Sequence, residues 1–262
     1  GVDPFSLRGA DLLKFRSRVQ MVFQDPYASL NSRMTAADII AEPWRSHKGL
    51  VKDRQDRDKR VRGLLDLVGL GAKAAGKYPQ EFSGGQRQRI GIARALALNP
   101  DVIICDEPVS ALDLSVQAQV LNLLNDLQQQ LKISYIFISH DLSVVRHVAD
   151  RVAVMYLGKI IESGVTEAVF ERPNHPYTAA LMSAAPTLDS EQRKQRILLK
   201  GEVPSPINPP SGCRFRTRCW KATDVCATTT PTAAVDPESP GHSALCHHPM
   251  LVEGSGLETV PA

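Results

Sequence analysis

The stretch DVIICDEP, residues 101–108, decides the fold class of this chain. Asp101 to Cys105 form an apolar, β-branched run of the kind found in a strand buried on both faces of a parallel sheet. Asp106 and Glu107 follow directly, so two carboxylates emerge at the C-terminal end of that strand. The stretch therefore predicts an α/β protein with acidic side chains at one edge of its sheet.

Strands, helices and polar loops alternate on both sides of this stretch. Residues 17–23 predict a short buried strand that runs into a polar loop containing Gln24. Downstream the chain predicts, in order, an amphipathic helix (115–131), a buried strand (134–139) that delivers His140, a helix (142–148) and two short strands (151–156 and 159–162). This alternation is typical of βαβ units and of a mostly parallel sheet.

The region between Gln24 and the acidic strand end is predicted to be helical. Residues 35–71 carry apolar side chains at helical spacing. A further helix opens at Ser83 to Gln86 and continues to about residue 98, where an Asn-Pro pair stops it. Backbone N–H groups and the positive end of a helix make such a start an anion site suited to a γ-phosphate.

Charge and hydropathy indicate an ordinary globular chain. The 31 basic and 28 acidic side chains leave a formal net charge of +3, so no electrostatic footprint indicates a nucleic-acid partner. No apolar run approaches the ~18 residues that span a bilayer, and the N-terminus lacks a basic segment followed by a hydrophobic one. We therefore expect a cytoplasmic protein.

Four side chains at strand ends form a candidate site for phosphoryl transfer, which needs a metal near the phosphates, an oriented water and charge stabilisation. Asp106 can hold Mg²⁺, and Glu107 can polarise the attacking water. His140 can donate a hydrogen bond to the phosphate, and Gln24 can contact the metal and the water. Each signal is weak alone, but their order along the chain is specific.

That order resembles the ATPase family of ABC transporters, motif by motif. The motifs are Gln24, FSGGQRQR at 82–89, IICDEP at 103–108, SALD at 110–113 and ISHD at 138–141. The resemblance implies one role for each: Gln24 is the Q-loop glutamine, Ser83, Gly84, Gly85 and Gln86 form the signature, Asp106 is the Walker B aspartate, Glu107 is the catalytic base, Asp113 is the D-loop aspartate and His140 is the switch histidine.

The same resemblance implies an architecture and partners. Residues 1–172 are expected to form an ABC-type P-loop NTPase domain, with a helical subdomain at about 32–98 that couples to two transmembrane permease subunits. ATP and Mg²⁺ are expected between this chain and a second ATPase subunit, because one subunit's signature caps the phosphates held by the other. A substrate-binding protein would act indirectly. The chain would lie on the inner face of a bacterial cell membrane.

One motif of that family is missing. The phosphate loop G-x-x-x-x-G-K-[ST] does not occur, and Gly76-Lys77-Tyr78 has neither the hydroxyl nor the spacing. We expect the domain to be truncated at its N-terminus, so that the phosphate loop lies upstream of Gly1. Natural loss of the loop is the alternative. The chain on its own is expected to bind Mg-ATP poorly and to be inactive as an ATPase.

Two segments narrow the resemblance to importers of dipeptides and oligopeptides. RPNHPYTAAL at 172–181 resembles the extension that follows the ATPase domain in those importers, and we assign residues 173–262 to it. FQDPYASLN at 23–31 is typical of the same group, although Ser32 stands where proline is common. The resemblance implies peptides as the substrate. Nickel, glutathione or another small solute is the alternative.

Four of the five cysteines lie within this extension, at Cys213, Cys219, Cys226 and Cys246. A reducing cytosol argues against disulfides. The tight cysteine pair typical of zinc sites is absent, although three histidines could supply nitrogen ligands: His242, His247 and His248. Four thiolates match the ligand count of a [4Fe–4S] cluster, which the resemblance implies. Zinc and no metal are the alternatives. Cys105 is predicted to be a core residue.

Two other functions compete with peptide import. In the first alternative the chain is a non-hydrolysing subunit that contributes only its signature to the ATP site of a partner. A phosphate loop upstream of Gly1 would exclude this alternative. A soluble ABC ATPase that acts on DNA or ribosomes would carry long insertions or two ATPase domains, whereas this chain carries the His-Pro-Tyr extension.

Overall fold

Two structural units, Gly1–His140 and Asp141–Ala262, divide the chain. The computed structural model describes residues 3–184, 196–236 and 238–250. The sequence predicts a different boundary, with an ATPase domain that ends at residue 172 and an extension that begins at residue 173. That boundary comes from sequence resemblance, and it stays a prediction.

The first unit is built on a parallel sheet in the order β1-β2-β3. Its strands are β1 (Val19–Val22), β2 (Val102–Asp106) and β3 (Ser134–Ile138). Parallel neighbours need a crossover, and helix α5 (Leu114–Leu131) supplies it between β2 and β3. The predicted α/β class is confirmed.

Four further α-helices and two short 3₁₀ helices (Ala72–Gly76 and Pro79–Glu81) belong to this unit. The α-helices are α1 (Gly9–Arg18), α2 (Ala36–Ser46), α3 (Arg54–Leu67) and α4 (Gly84–Leu96). The region 35–71 was predicted as helical throughout, but it contains two helices, which the side chains of Thr35 and Asp53 cap separately. The strand predicted at 17–23 is shorter because α1 runs to Arg18.

One part of the core of the first unit lies between α2, α3 and α4. Its fully buried side chains include Ile39, Ile40, Leu65, Ile90 and Ile92. The indole N–H of Trp44 also donates to the carbonyl oxygen of Ala97 over 2.7 Å. This packing fixes α4, and therefore the position of the glycines at its start.

Burial in the sheet is lower than the sequence predicts. Cys105 is fully buried, which confirms it as a core residue. The prediction of a buried strand at 134–139 is wrong, because Ile136 and Ile138 are 54% and 47% exposed. Among the described residues β3 pairs only with β2, so one edge of β3 carries no neighbouring strand.

The second unit contains an antiparallel sheet in the order β4-β5-β7-β6. The strands are β4 (Arg151–Tyr156), β5 (Lys159–Val165), β6 (Ala233–Asp236) and β7 (Ser239–Leu245). The prediction that 151–162 completes a βαβ pattern is wrong, because β4 and β5 form a hairpin. Leu157 and Gly158 adopt positive φ angles of 45° and 75° in its turn.

Short helices surround this second sheet. They are α6 (Leu142–Val148), α7 (Thr166–Glu171), α8 (Pro176–Ser183) and α9 (Asp224–Thr228). The aromatic rings of Tyr156, Tyr177 and Phe215 pack together in its core, with centroids 4.7–5.4 Å apart. Across the described part of the chain, no helix is both long and apolar enough to cross a bilayer.

Candidate nucleotide site

Glu107 stands immediately after β2, in a backbone conformation that few residues other than glycine adopt. Its φ is 42°, within the left-handed region. Its N–H donates to the carbonyl oxygen of Ile138 over 3.0 Å, and its own carbonyl accepts from Ser110. These bonds hold the residue beyond the end of the ladder, with its side chain 24% exposed.

Two side chains from neighbouring strand ends converge on the Glu107 carboxylate. Gln24, which follows β1, donates from Nε2 to Oε2 over 2.8 Å. His140, which follows β3, places Nδ1 3.1 Å from Oε1, while its ring is 72% exposed. The sequence predicted these three residues for one site, and the parallel order of the strands brings them together.

Asp106 occupies the last position of β2, beside this cluster. Its half-buried carboxylate makes no hydrogen bond or ion pair with any residue in the described part of the chain. Mg²⁺ is usually bound through one or two carboxylates and several waters. A free carboxylate at a strand end therefore fits a hydrated magnesium ion.

The glycine-rich start of α4 is a separate feature. Ser83 and Gln86 form a capping box: the Ser83 hydroxyl accepts from the Gln86 N–H over 3.3 Å, and the Gln86 side chain accepts from the Ser83 N–H over 3.0 Å. Within the described residues, neither makes a hydrogen bond with Glu107 or His140. The structure therefore does not bring the signature to the carboxylate of the same chain.

Asp113 lies beside that helix start. It caps α5, and the backbone N–H of Val116, 3.0 Å from Oδ1, is the main cause that lowers the pKa of Asp113. Gly84 and Gly85 face the same segment, because an added Cβ would meet Leu112 at 3.3 Å and Val116 at 2.2 Å respectively. Only glycine permits α4 to approach α5 this closely.

Two arginines of α4 contact the loop that follows Gln24, and sequence analysis assigned neither of them this role. The Arg87 guanidinium lies 3.9 Å from the ring centroid of Tyr27. Arg94 donates from Nη1 to the carbonyl oxygen of Ser29 over 2.9 Å, and its burial lowers its pKa. Each arginine fits an ordinary helical pattern and lies far in sequence from the residue that it contacts. Only the tertiary structure therefore reveals these two contacts.

The four cysteines of the extension line one small cavity in the second unit. Backbone N–H groups contact the sulfurs of Cys213, Cys219 and Cys246, and that of His248 lies 3.3 Å from Cys246 Sγ. Burial raises the pKa of Cys219 to about 12 and that of Cys246 to about 11. Over residues 3–184, 196–236 and 238–250, no three Cys, His, Asp or Glu side chains form a group that could hold one metal ion.

The three histidines named as alternative zinc ligands differ in their surroundings. His247 and His248 line the cysteine cavity. His242 is completely buried, with Nε2 2.6 Å from Glu162 Oε1. The imidazole of His242 is therefore engaged away from the thiols.

The fold and this strand-end site define a class, the α/β nucleotide-binding proteins, and comparisons with known proteins identify the family. Residues 3–110 match the family model described as "ABC transporter". Residues 161–226 match "Oligopeptide/dipeptide transporter, C-terminal region". The chain belongs to the ABC transporter ATP-binding family, in the branch that carries this C-terminal region.

Individual relatives agree with that assignment. The dipeptide transport ATP-binding protein DppF of Haemophilus influenzae is 54% identical over 233 residues, which cover 89% of this chain and 70% of the relative. The oligopeptide transport ATP-binding protein OppF of Salmonella typhimurium is 56% identical, with 88% and 70% covered. A solved dimer of the ATP-binding cassette MJ0796, in a post-hydrolysis state with ADP and Pi, has a TM-score of 0.54 and 29% identity, covering 62% of this chain and 68% of that one.

Proposed function

We propose that this chain is the ATP-hydrolysing subunit that energises peptide import across the cytoplasmic membrane. The observation that carries the proposal is the convergence of Gln24 and His140 on the carboxylate of Glu107. Membership of the ABC transporter family and relatives named for dipeptide and oligopeptide transport support it.

The hydrolytic step assigns one task to each side chain of the site. Glu107 accepts the proton of the attacking water as general base. The Gln24 amide holds one carboxylate oxygen of Glu107 and keeps its own carbonyl oxygen for the water or the metal. His140 keeps Nε2 for the γ-phosphate, and it can donate from both ring nitrogens only when the ring is protonated.

ATP and Mg²⁺ complete the proposed site. Asp106, assisted by Gln24, would hold the metal, and bound Mg²⁺ would neutralise charge that develops on the phosphates. Ser83, Gly84 and Gly85 would bind the phosphates of a second subunit through backbone N–H groups. The dimer of the ATP-binding cassette relative supports a paired arrangement with a second ATPase subunit.

No phosphate loop occurs among the 262 residues, so we propose that the chain alone binds Mg-ATP poorly. The test uses an extended protein, in which a segment bearing a G-x-x-x-x-G-K-[ST] loop is placed before Gly1. We expect it to release phosphate from ATP and Glu107→Gln to slow that release by about 100-fold or more. An extended protein that binds ATP without hydrolysing it would favour the non-hydrolysing subunit instead.

Peptides are the proposed cargo because residues 161–226 match the oligopeptide/dipeptide transporter region. The proposed partners are two permease subunits, which place the chain on the inner face of the membrane, and indirectly a substrate-binding protein. In vesicles that contain the assembled importer, a peptide-loaded binding protein should stimulate ATP hydrolysis. Stimulation by nickel or glutathione instead would reassign the cargo.

We also propose that the four-cysteine cavity holds a [4Fe–4S] cluster. Four thiols around one cavity match the ligand count, and Arg216 and Lys221 line the same cavity and offset anionic charge. Anaerobic reconstitution with iron and sulfide should give broad visible absorbance that is lost when the four cysteines become serine. Persistent absorbance in that variant excludes the cluster, and stoichiometric zinc in the purified chain would favour the zinc alternative.

A further inference from the structure

A buried carboxylate–imidazole pair lies inside the second unit. The sequence identified His242 only as an alternative zinc ligand and assigned no role to Glu162. Glu162 on β5 is 1% exposed and His242 on β7 is 0% exposed. Glu162 Oε1 lies 2.6 Å from His242 Nε2, and His242 Nδ1 lies 3.5 Å from Asp236 Oδ2. Side chains of this kind are rarely buried unless they are paired, so the arrangement requires a structural reason.

The Glu162 carboxylate also binds two backbone amides. Oε1 accepts the N–H of Asn174 over 2.6 Å, and Oε2 accepts the N–H of His175 over 2.8 Å. Both amides belong to the turn that leads into α8. The ring of His175 lines the cysteine cavity and lies 5.7 Å from the ring of Phe215. One carboxylate thus fixes one wall of the cavity.

His242 is linked to a second part of the cavity lining along its strand. β7 ends at Leu245, and Cys246 follows directly. Cys246, His247 and His248 all line the cavity. The Glu162–His242 pair therefore ties the wall that carries His175 to the strand that delivers one of the four thiols.

We propose that Glu162 and His242 are positioning residues for the four-thiol cavity. In the described part of the chain neither side chain forms a hydrogen bond or ion pair with a cysteine. They act through the backbone segments that they join, so that Cys246 is held in reach of the other three thiols. This inference rests on the proposed metal-cluster function of the cavity.

The test measures how firmly the reconstituted cluster is held in the full chain. Iron and sulfide are incorporated anaerobically, and the decay of visible absorbance is followed after a chelator is added. We expect Glu162→Gln and His242→Leu to lose absorbance about tenfold faster than the unsubstituted chain, as is usual when outer-shell support of a metal site is removed. His242→Gln, whose amide can still donate to Glu162, should lose it at nearly the original rate.

Glu167→Gln is the matched control, because Glu167 pairs with Arg146 on the surface of the same unit. Decay at the original rate in both Glu162→Gln and His242→Leu overturns the positioning role while leaving the cluster proposal intact. An unsubstituted chain that takes up no iron and sulfide overturns both. If Glu162→Gln or His242→Leu unfolds the unit, His242→Gln decides: it must fold and retain the cluster, and rapid decay in folded His242→Gln contradicts the inference.

Discussion

Gly85 packs directly against Val116: a Cβ added to Gly85 would lie 2.2 Å from Val116 Cγ1. The start of α4 and the first turn of α5 therefore fit together only if residue 85 has no side chain. The contact joins the signature to the segment that begins at Asp113, so a glycine assigned to phosphate binding also has a packing role.

Gly85→Ala should destabilise the extended protein by about 1–3 kcal/mol, the usual cost of overpacking, and reduce ATP hydrolysis. Val116→Ala removes the methyl group that the new Cβ would meet. The double variant should therefore recover most of the lost stability in chemical denaturation. Gly84→Ala is the control, because its Cβ would meet the flexible end of Leu112 at 3.3 Å. Absence of recovery in the double variant would show that the Gly85–Val116 contact is not the cause.

Substitutions of Tyr27 test whether its contact with Arg87 positions Gln24. Tyr27→Leu removes the ring that the Arg87 guanidinium covers, whereas Tyr27→Phe keeps it. A cation–π contact at an exposed site contributes about 0.5–1 kcal/mol. If that energy holds the Gln24 loop, Tyr27→Leu should lower kcat of the extended protein by about two- to fivefold. Equal rates for the leucine and phenylalanine variants would contradict this role.

The second unit should lose stability in mild acid because of His175. Burial lowers the pKa of His175 from 6.5 to about 4. The unfolded chain takes up a proton as the pH falls through 6.5, whereas the folded chain does so only near 4. The free energy of unfolding should therefore fall over this interval, by at most about 3 kcal/mol.

His175→Asn supplies the control for that pH dependence. The asparagine side chain does not titrate, and it can still accept the Tyr177 N–H that His175 Nδ1 accepts over 3.0 Å. Denaturant unfolding followed by tryptophan fluorescence at pH 7 and pH 5 should show a smaller difference for the variant. An unchanged difference would assign the acid sensitivity to another group.

The strand-end site was predictable because it depends on local patterns. Apolar runs identify β1, β2 and β3, and parallel strands bring their C-terminal ends to one edge of a sheet. Gln24, Glu107 and His140 each follow one of those strands, so their convergence follows from strand order. The capping box at Ser83 is equally local, because it involves residues three positions apart.

The antiparallel sheet of the second unit was not predictable in the same way. Glu162 on β5 lies opposite Ala244 on β7, a pairing between segments far apart in the chain. The sequence of β7, SPGHSAL, contains a proline and a glycine, which strands usually avoid. Tertiary pairing and the buried Glu162–His242 contact override that weak local preference.

The central claim is that Glu107 of one subunit works with the signature of another, and mixed dimers of the extended protein test it most directly. In a dimer that joins a Glu107→Gln chain to a Ser83→Arg chain, both substitutions fall in one composite site and the other site is intact. When both substitutions are in one chain and its partner is unsubstituted, each site has one defect. The account predicts about half of the unsubstituted ATPase rate for the first dimer and almost none for the second. The reverse order, or equal rates, would contradict it.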